Sequence, residues 1–111
     1  MRKAPERHGG VLRLRAGCYE EYKRYHAQVW PEVLVLISSC HIRNYSIFHH
    51  DGVLFGFFEY WGDDFKADMD RMKADPVMRR WWDLMEPMQE PLPTRAEGEW
   101  WARMEEVFRH E

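Results

Sequence analysis

The chain has 111 residues, enough for one domain and too few for two. It carries 16 Lys and Arg against 19 Asp and Glu, a net charge of −3 spread along the sequence, which excludes a nucleic-acid or membrane-surface charge footprint. With 45% hydrophobic residues but no run near the roughly 20 needed for a membrane span, it has material for one closed core.

Met1 to Gly10 contains no apolar stretch of the kind a secretory signal needs and reads as a flexible lead-in, with residues 11–111 as the single domain. Val11 to Arg15 reads as a short strand, ended by Ala16-Gly17. Tyr19 to Val29 is rich in helix formers, and Tyr22, His26, Val29, Val33, Leu36 and Cys40 recur at three- and four-residue steps. Pro31 disfavours an α conformation at Trp30, so this helix is expected to kink or restart there.

Asn44 to His50, then Asp51-Gly52, then Val53 to Trp61 predicts a two-residue hairpin, because Gly accepts a positive φ at no steric cost. Tyr45, Ile47 and His49 fall on one face of its first strand. Gly56 marks a bulge or a close approach by another group. Asp63-Asp64 caps a helix from Phe65 to Ala74, and Asp75-Pro76 opens another that carries Arg80-Trp81-Trp82. Glu86 to Gly98 contains Pro87, Pro91 and Pro93 and reads as a loop, and Trp100 to Arg109 reads as the closing strand. The order β-α-β-β-α-β is ferredoxin-like: an α+β fold whose antiparallel sheet carries both helices on one face. The other face must then be covered, and a second copy of the chain is the expected cover.

Seventeen Trp, Tyr and Phe residues exceed what such a core requires, and adjacent tryptophans at 81–82 and 100–101 cannot share one face. Tyr22 and His26 sit four apart on a helix and present to the same side, with Trp30 one turn on and Tyr19 one turn before. An imidazole there can exchange a proton near neutral pH while a tyrosine donates a hydrogen bond. The plainer alternative is a structural histidine among packing tyrosines. Arg80-Trp81-Trp82 offers indole faces and donors, which suit a sugar's C–H faces and hydroxyl rims. His41, His49 and His50 match no metal-ligand spacing, so no metal site is expected, and no phosphate loop or nucleophile motif is present. Cys18 and Cys40 read as reduced thiols of a cytoplasmic protein.

Leu14 to Glu32, containing Gly17, Glu20-Glu21-Tyr22, His26 and Trp30-Pro31-Glu32, resembles the signature of L-rhamnose mutarotases. Ile42 to Phe48, Asp51 to Tyr60, Pro76 to Met85 with its Trp81-Trp82 pair, and Glu106 to Phe108 are similar to later segments of that family, in the same order. His41 departs from it, standing where glycine is common. The resemblance implies a cytoplasmic homodimer with a dimeric α/β-barrel fold. It would interconvert the α and β anomers of L-rhamnose, or a related 6-deoxyhexose, without a cofactor. It also implies that His26 is the proton donor and that Tyr22, Tyr45, Trp81 and Trp82 contact the sugar; Tyr45 enters only this way. The general base stays open among a bound water, a tyrosine and Glu106. Two other readings keep the fold: a cofactor-free monooxygenase or haem-binding enzyme, and a non-catalytic sugar-binding dimer. Neither involves nucleic acid or membrane.

Overall fold

The computed structural model describes residues 4–111, and in it the first strand, β1, runs Glu6–Leu14. The flexible lead-in expected over residues 1–10 is therefore strand from Glu6 onward, while residues 1–3 of it lie outside the described residues. The cause is a long partner: β3 (Val53–Tyr60) pairs antiparallel with β1 from Glu6↔Tyr60 to Arg13↔Val53. Gly9 and Gly10, which look flexible in sequence, instead leave room for neighbours. A Cβ on Gly10 would stand 3.2 Å from that of Trp101, and one on Gly56, directly opposite, 3.3 Å from the Trp101 ring. Gly56 thus marks a close approach.

α1 (Tyr19–Ala27) and α2 (Pro31–Ser39) break where expected, with Trp30 extended at ψ 132° and Pro31 opening the second helix. β2 (Ile42–His50) and β3 form the hairpin, whose Asp51 and Gly52 have φ of 51° and 76°. Two positive values are those of a type I′ turn, whose twist matches the strands. α3 (Phe65–Ala74) is capped by the Asp64 side chain accepting from Ala67 N–H. α4 (Pro76–Met85) is capped by Asp75 accepting from Val77 and Met78 N–H.

The segment after Met85 corrects two expectations. Glu86–Met88 is a 3₁₀ turn and Gln89–Glu90 a short strand, β4, so Glu86 to Gly98 is not all loop. Pro91 ends β4 because it has no N–H to give the ladder. The closing strand is only Ala102–Met104, β5, opposite Gly9–Val11. Beyond it the chain runs irregular and charged, with Val107 and Phe108 exposed. The sheet order is β2-β3-β1-β4, with β5 also on β1. This is the ferredoxin-like order.

Strand alternation assigns the two faces. Leu12, Leu14, Ile42, Leu54 and Tyr60 join Tyr22, Val33, Met72, Met78, Trp81 and Met85 of the helices in one buried cluster. Register puts Phe48 opposite Phe55, Phe55 opposite Val11, and Phe57 opposite Gly9 on the reverse face. Phe48 and Phe55 are 66% and 40% exposed there, an apolar patch without helix cover. His41, at φ 67°, takes the left-handed conformation that glycine adopts more readily, and its Nδ1 lies 3.0 Å from the Asp68 carboxylate.

His8 is buried between the Phe58 and Phe65 rings, with centroids 4.9 and 4.4 Å away. Burial holds both this imidazole and that of His26 below the usual histidine range. In the window below 6.5 the unfolded chain takes up protons that the folded chain refuses, so stability falls with pH there. The urea midpoint is expected to drop between pH 7 and pH 5, and to drop less in His8→Phe. A midpoint that stays flat over this window contradicts the assignment.

Candidate active site

The site is built on α1, where Tyr22 and His26 are one helical turn apart and their rings 4.3 Å apart. His26 Nδ1 lies 2.8 Å from the Tyr22 carbonyl oxygen, which can only accept, so the ring hydrogen sits on Nδ1. Nε2 keeps its lone pair and has no hydrogen-bond partner among the described residues. Burial lowers the pKa of this ring and the backbone bond opposes that only in part, so the imidazole rests neutral at pH 7.

α4 supplies the wall. Adjacent helical residues point about 100° apart, so Trp81 turns inward while Trp82 stays half-buried. The Trp81 ring meets His26 at 5.5 Å, Trp30 at 5.2 Å and Tyr25 at 6.1 Å, each edge-on. Across from α4, β2 brings Tyr45 and His49 from one face of the strand. These elements enclose a cleft of about 580 Å³, and His26, Tyr22, Tyr45, Trp81 and Trp82 all line it. All five residues expected at the site are therefore gathered on one cavity. Trp30 is not on its wall; it buttresses Trp81 from behind. Arg80 is exposed on the outside of α4. Glu106 does not line the cleft of its own chain; its carboxylate lies 3.8 Å from Arg7 and 3.9 Å from Arg109.

Tyr19, expected one turn before Tyr22, also lines the cleft, together with residues that sequence reasoning left aside. Tyr19 stacks on His49 at 3.9 Å, and Lys23 Nζ lies 5.8 Å from the Tyr19 ring at the same mouth. His49 Nε2 accepts from Gly52 N–H at 3.1 Å, which fixes its tautomer. Its place was legible, because it shares a strand face with Tyr45. Behind Tyr22, buried Gln89 donates to the phenol oxygen at 3.1 Å. That residue lies within a proline-rich stretch and gave no signal. Among the described residues, no three His, Cys, Asp or Glu side chains gather as metal ligands.

The sequence model of the L-rhamnose mutarotase family matches residues 7–110. An L-rhamnose mutarotase of Jannaschia sp. is 35% identical over 91 residues, covering 79% of this chain and 84% of that protein. One from Verminephrobacter eiseniae is 40% identical over 91 residues, covering 69% and 81%. The crystal structure of an L-rhamnose mutarotase from Formosa agariphila superposes with a TM-score of 0.75 at 29% identity, covering 96% of this chain and 99% of that one. Tetracenomycin F2 cyclase from Streptomyces glaucescens, at TM-score 0.72 and 15% identity, shares the fold alone. With a family match over nearly its whole length and relatives above 30% identity, this chain belongs to the L-rhamnose mutarotase family.

Proposed function

We propose that the protein is an isomerase that interconverts the α and β anomers of L-rhamnose, or of a related 6-deoxyhexose, by opening and reclosing the pyranose ring. The observation that carries this is the neutral His26 ring, with Nε2 free, on a cleft walled by Tyr22, Tyr45, Trp81 and Trp82. An indole face suits the sugar's C–H face, and the tyrosines hold hydroxyls.

The anomeric oxygen O1 and the ring oxygen O5 are bonded to the same carbon, so a single nitrogen can serve both. As the O1–H bond breaks, its hydrogen goes to His26 Nε2. The C1–O5 bond breaks with its electron pair on O5, and C1=O1 forms. The imidazolium then protonates O5, leaving the open aldehyde and a neutral ring. Rotation about C1–C2 and the reverse steps give the other anomer. In this cycle His26 is the donor to the ring oxygen and also takes up the anomeric proton. Tyr22 remains protonated throughout, its pKa pushed up to about 12 by burial.

The sign of the pH dependence follows. Protonating free His26 removes the acceptor, so kcat/KM for anomer exchange should fall as pH drops below 6.5 and stay level into the alkaline range. A rate that climbs in acid contradicts the scheme. Quenching of tryptophan fluorescence by L-rhamnose, with no Soret shift on adding haem, separates this reading from a haem-binding one.

A homodimer belongs to the same proposal, supported by the exposed aromatic face of the sheet. Two copies pair through the face bearing Phe48, Phe55 and Phe57, and the two sheets close as a dimeric α/β barrel. The enzyme works in the cytoplasm, where Cys18 and Cys40 stay reduced. No described helix is long and apolar enough to cross a membrane.

A further inference from the structure

Behind the cleft, three side chains form a chain of hydrogen bonds with only one possible polarity. The Trp100 indole N–H lies 2.8 Å from Gln89 Oε1, and Gln89 Nε2 lies 3.1 Å from the Tyr22 hydroxyl. An indole nitrogen can only donate. The Gln89 amide oxygen must therefore face Trp100, and its NH₂ must face Tyr22. The Tyr22 oxygen accepts that bond and cannot also give its hydrogen to it. Gln89 and Tyr22 are each only 4% exposed, and among the described residues no group accepts the Tyr22 hydrogen. Tyr22 lines the cleft. Its hydrogen is left for whatever occupies that space.

We propose that Gln89, with its amide oriented by Trp100, is a positioning residue that commits the Tyr22 hydroxyl to act as a donor toward the substrate. The site thereby selects a ligand that offers Tyr22 a lone pair, a sugar oxygen used as acceptor. The sequence singles out the Trp100–Trp101 pair but does not show the bond to Gln89, because Gln89 sits on the two-residue strand β4 and Trp100 precedes the three-residue strand β5. The loop joining those strands lets the indole reach back 11 positions to the amide.

The proposal rests on the anomer-exchange reading and is tested so that the two fail separately. Gln89→Glu keeps the side chain's shape but offers only acceptors, so both Trp100 and Tyr22 can donate to it. The phenol hydrogen then turns away from the cleft. L-Rhamnose exchange should lose on the order of tenfold in kcat/KM, carried by KM, because the site now offers the sugar a lone pair where it needs a donor. In a Tyr22→Phe background the same substitution should change kcat/KM less than twofold, since there is no hydroxyl left to redirect. Gln89→Met, which cannot bury a charge, covers the case in which the carboxylate prevents folding. It frees the hydroxyl and should cost a few-fold, again only when Tyr22 is present.

The tyrosine Raman doublet, taken as wild type minus Tyr22→Phe, reports whether this phenol donates or accepts, and it needs no turnover. It should shift toward a donor-only phenol in Gln89→Glu. Equal losses from the position 89 substitutions in both backgrounds, or an unchanged doublet, overturn the positioning role. If wild type fails to exchange anomers, the enzymatic reading falls, and the doublet alone still decides whether Gln89 sets the polarity of Tyr22.

Discussion

His26→Ala is expected to leave the protein folded and to slow L-rhamnose anomer exchange by about 10²–10⁴-fold, the range over which a positioned proton-transfer group contributes. The ring is half-buried on the cleft side of α1, and removing it leaves only the Tyr22 carbonyl without its side-chain partner. That carbonyl is within a helix and its loss is small. Anomer exchange also proceeds in water, so the residual rate in the variant should approach that of buffer with a bound sugar. Saturation-difference NMR on the anomeric protons reads this directly, and circular dichroism checks the fold. Activity retained within a factor of two would remove His26 from the reaction.

The second large effect is on stability. Trp81→Ala should destabilise the protein by about 3–5 kcal/mol, the usual cost of removing a buried tryptophan. Trp81 is 6% exposed and belongs to the central core cluster, where Trp30, Tyr25 and His26 meet its edges and faces. Deleting it opens a cavity within that cluster. Since small domains are stable by only about 5–15 kcal/mol, this is a large share of the total. Trp82→Ala should cost far less stability and act mainly on sugar affinity, because Trp82 is half-buried on the same wall. Urea unfolding of the two variants separates them. Equal losses of stability would mean that the pair does not divide its work between core and cleft.

Much of this site was readable from local chemistry. Asp51-Gly52 dictates the turn, and the turn fixes which residues of β2 face the helices, Tyr45 and His49 included. The four-residue step from Tyr22 to His26 and the impossibility of seating both tryptophans of α4 inward needed nothing beyond helical geometry. What stayed hidden depends on partners far along the chain. Glu6 to Gly10 looks flexible until β3 is laid beside it, and its glycines make sense only with Met104 against Gly9 and Trp101 against Gly10. β4 and β5 are too short to show a period of two, and the prolines of the intervening stretch carry the signature of a loop. Gln89 lies in that stretch, so its bond to Tyr22, 67 positions away, has no local trace. The alternation of Met104, Glu106 and Phe108 continues past Met104, where pairing with β1 stops although β1 itself runs on to Glu6, so the sequence carries no mark of this strand's end.

One measurement bears on the whole account. With micromolar wild-type protein in a solution of L-rhamnose at neutral pH, the anomeric proton of one form is saturated and the signal of the other is followed. The account predicts that the second signal loses intensity in proportion to protein concentration, well beyond the loss in buffer. An unchanged second signal, in a sample where L-rhamnose quenches tryptophan fluorescence and so occupies the cleft, would contradict it.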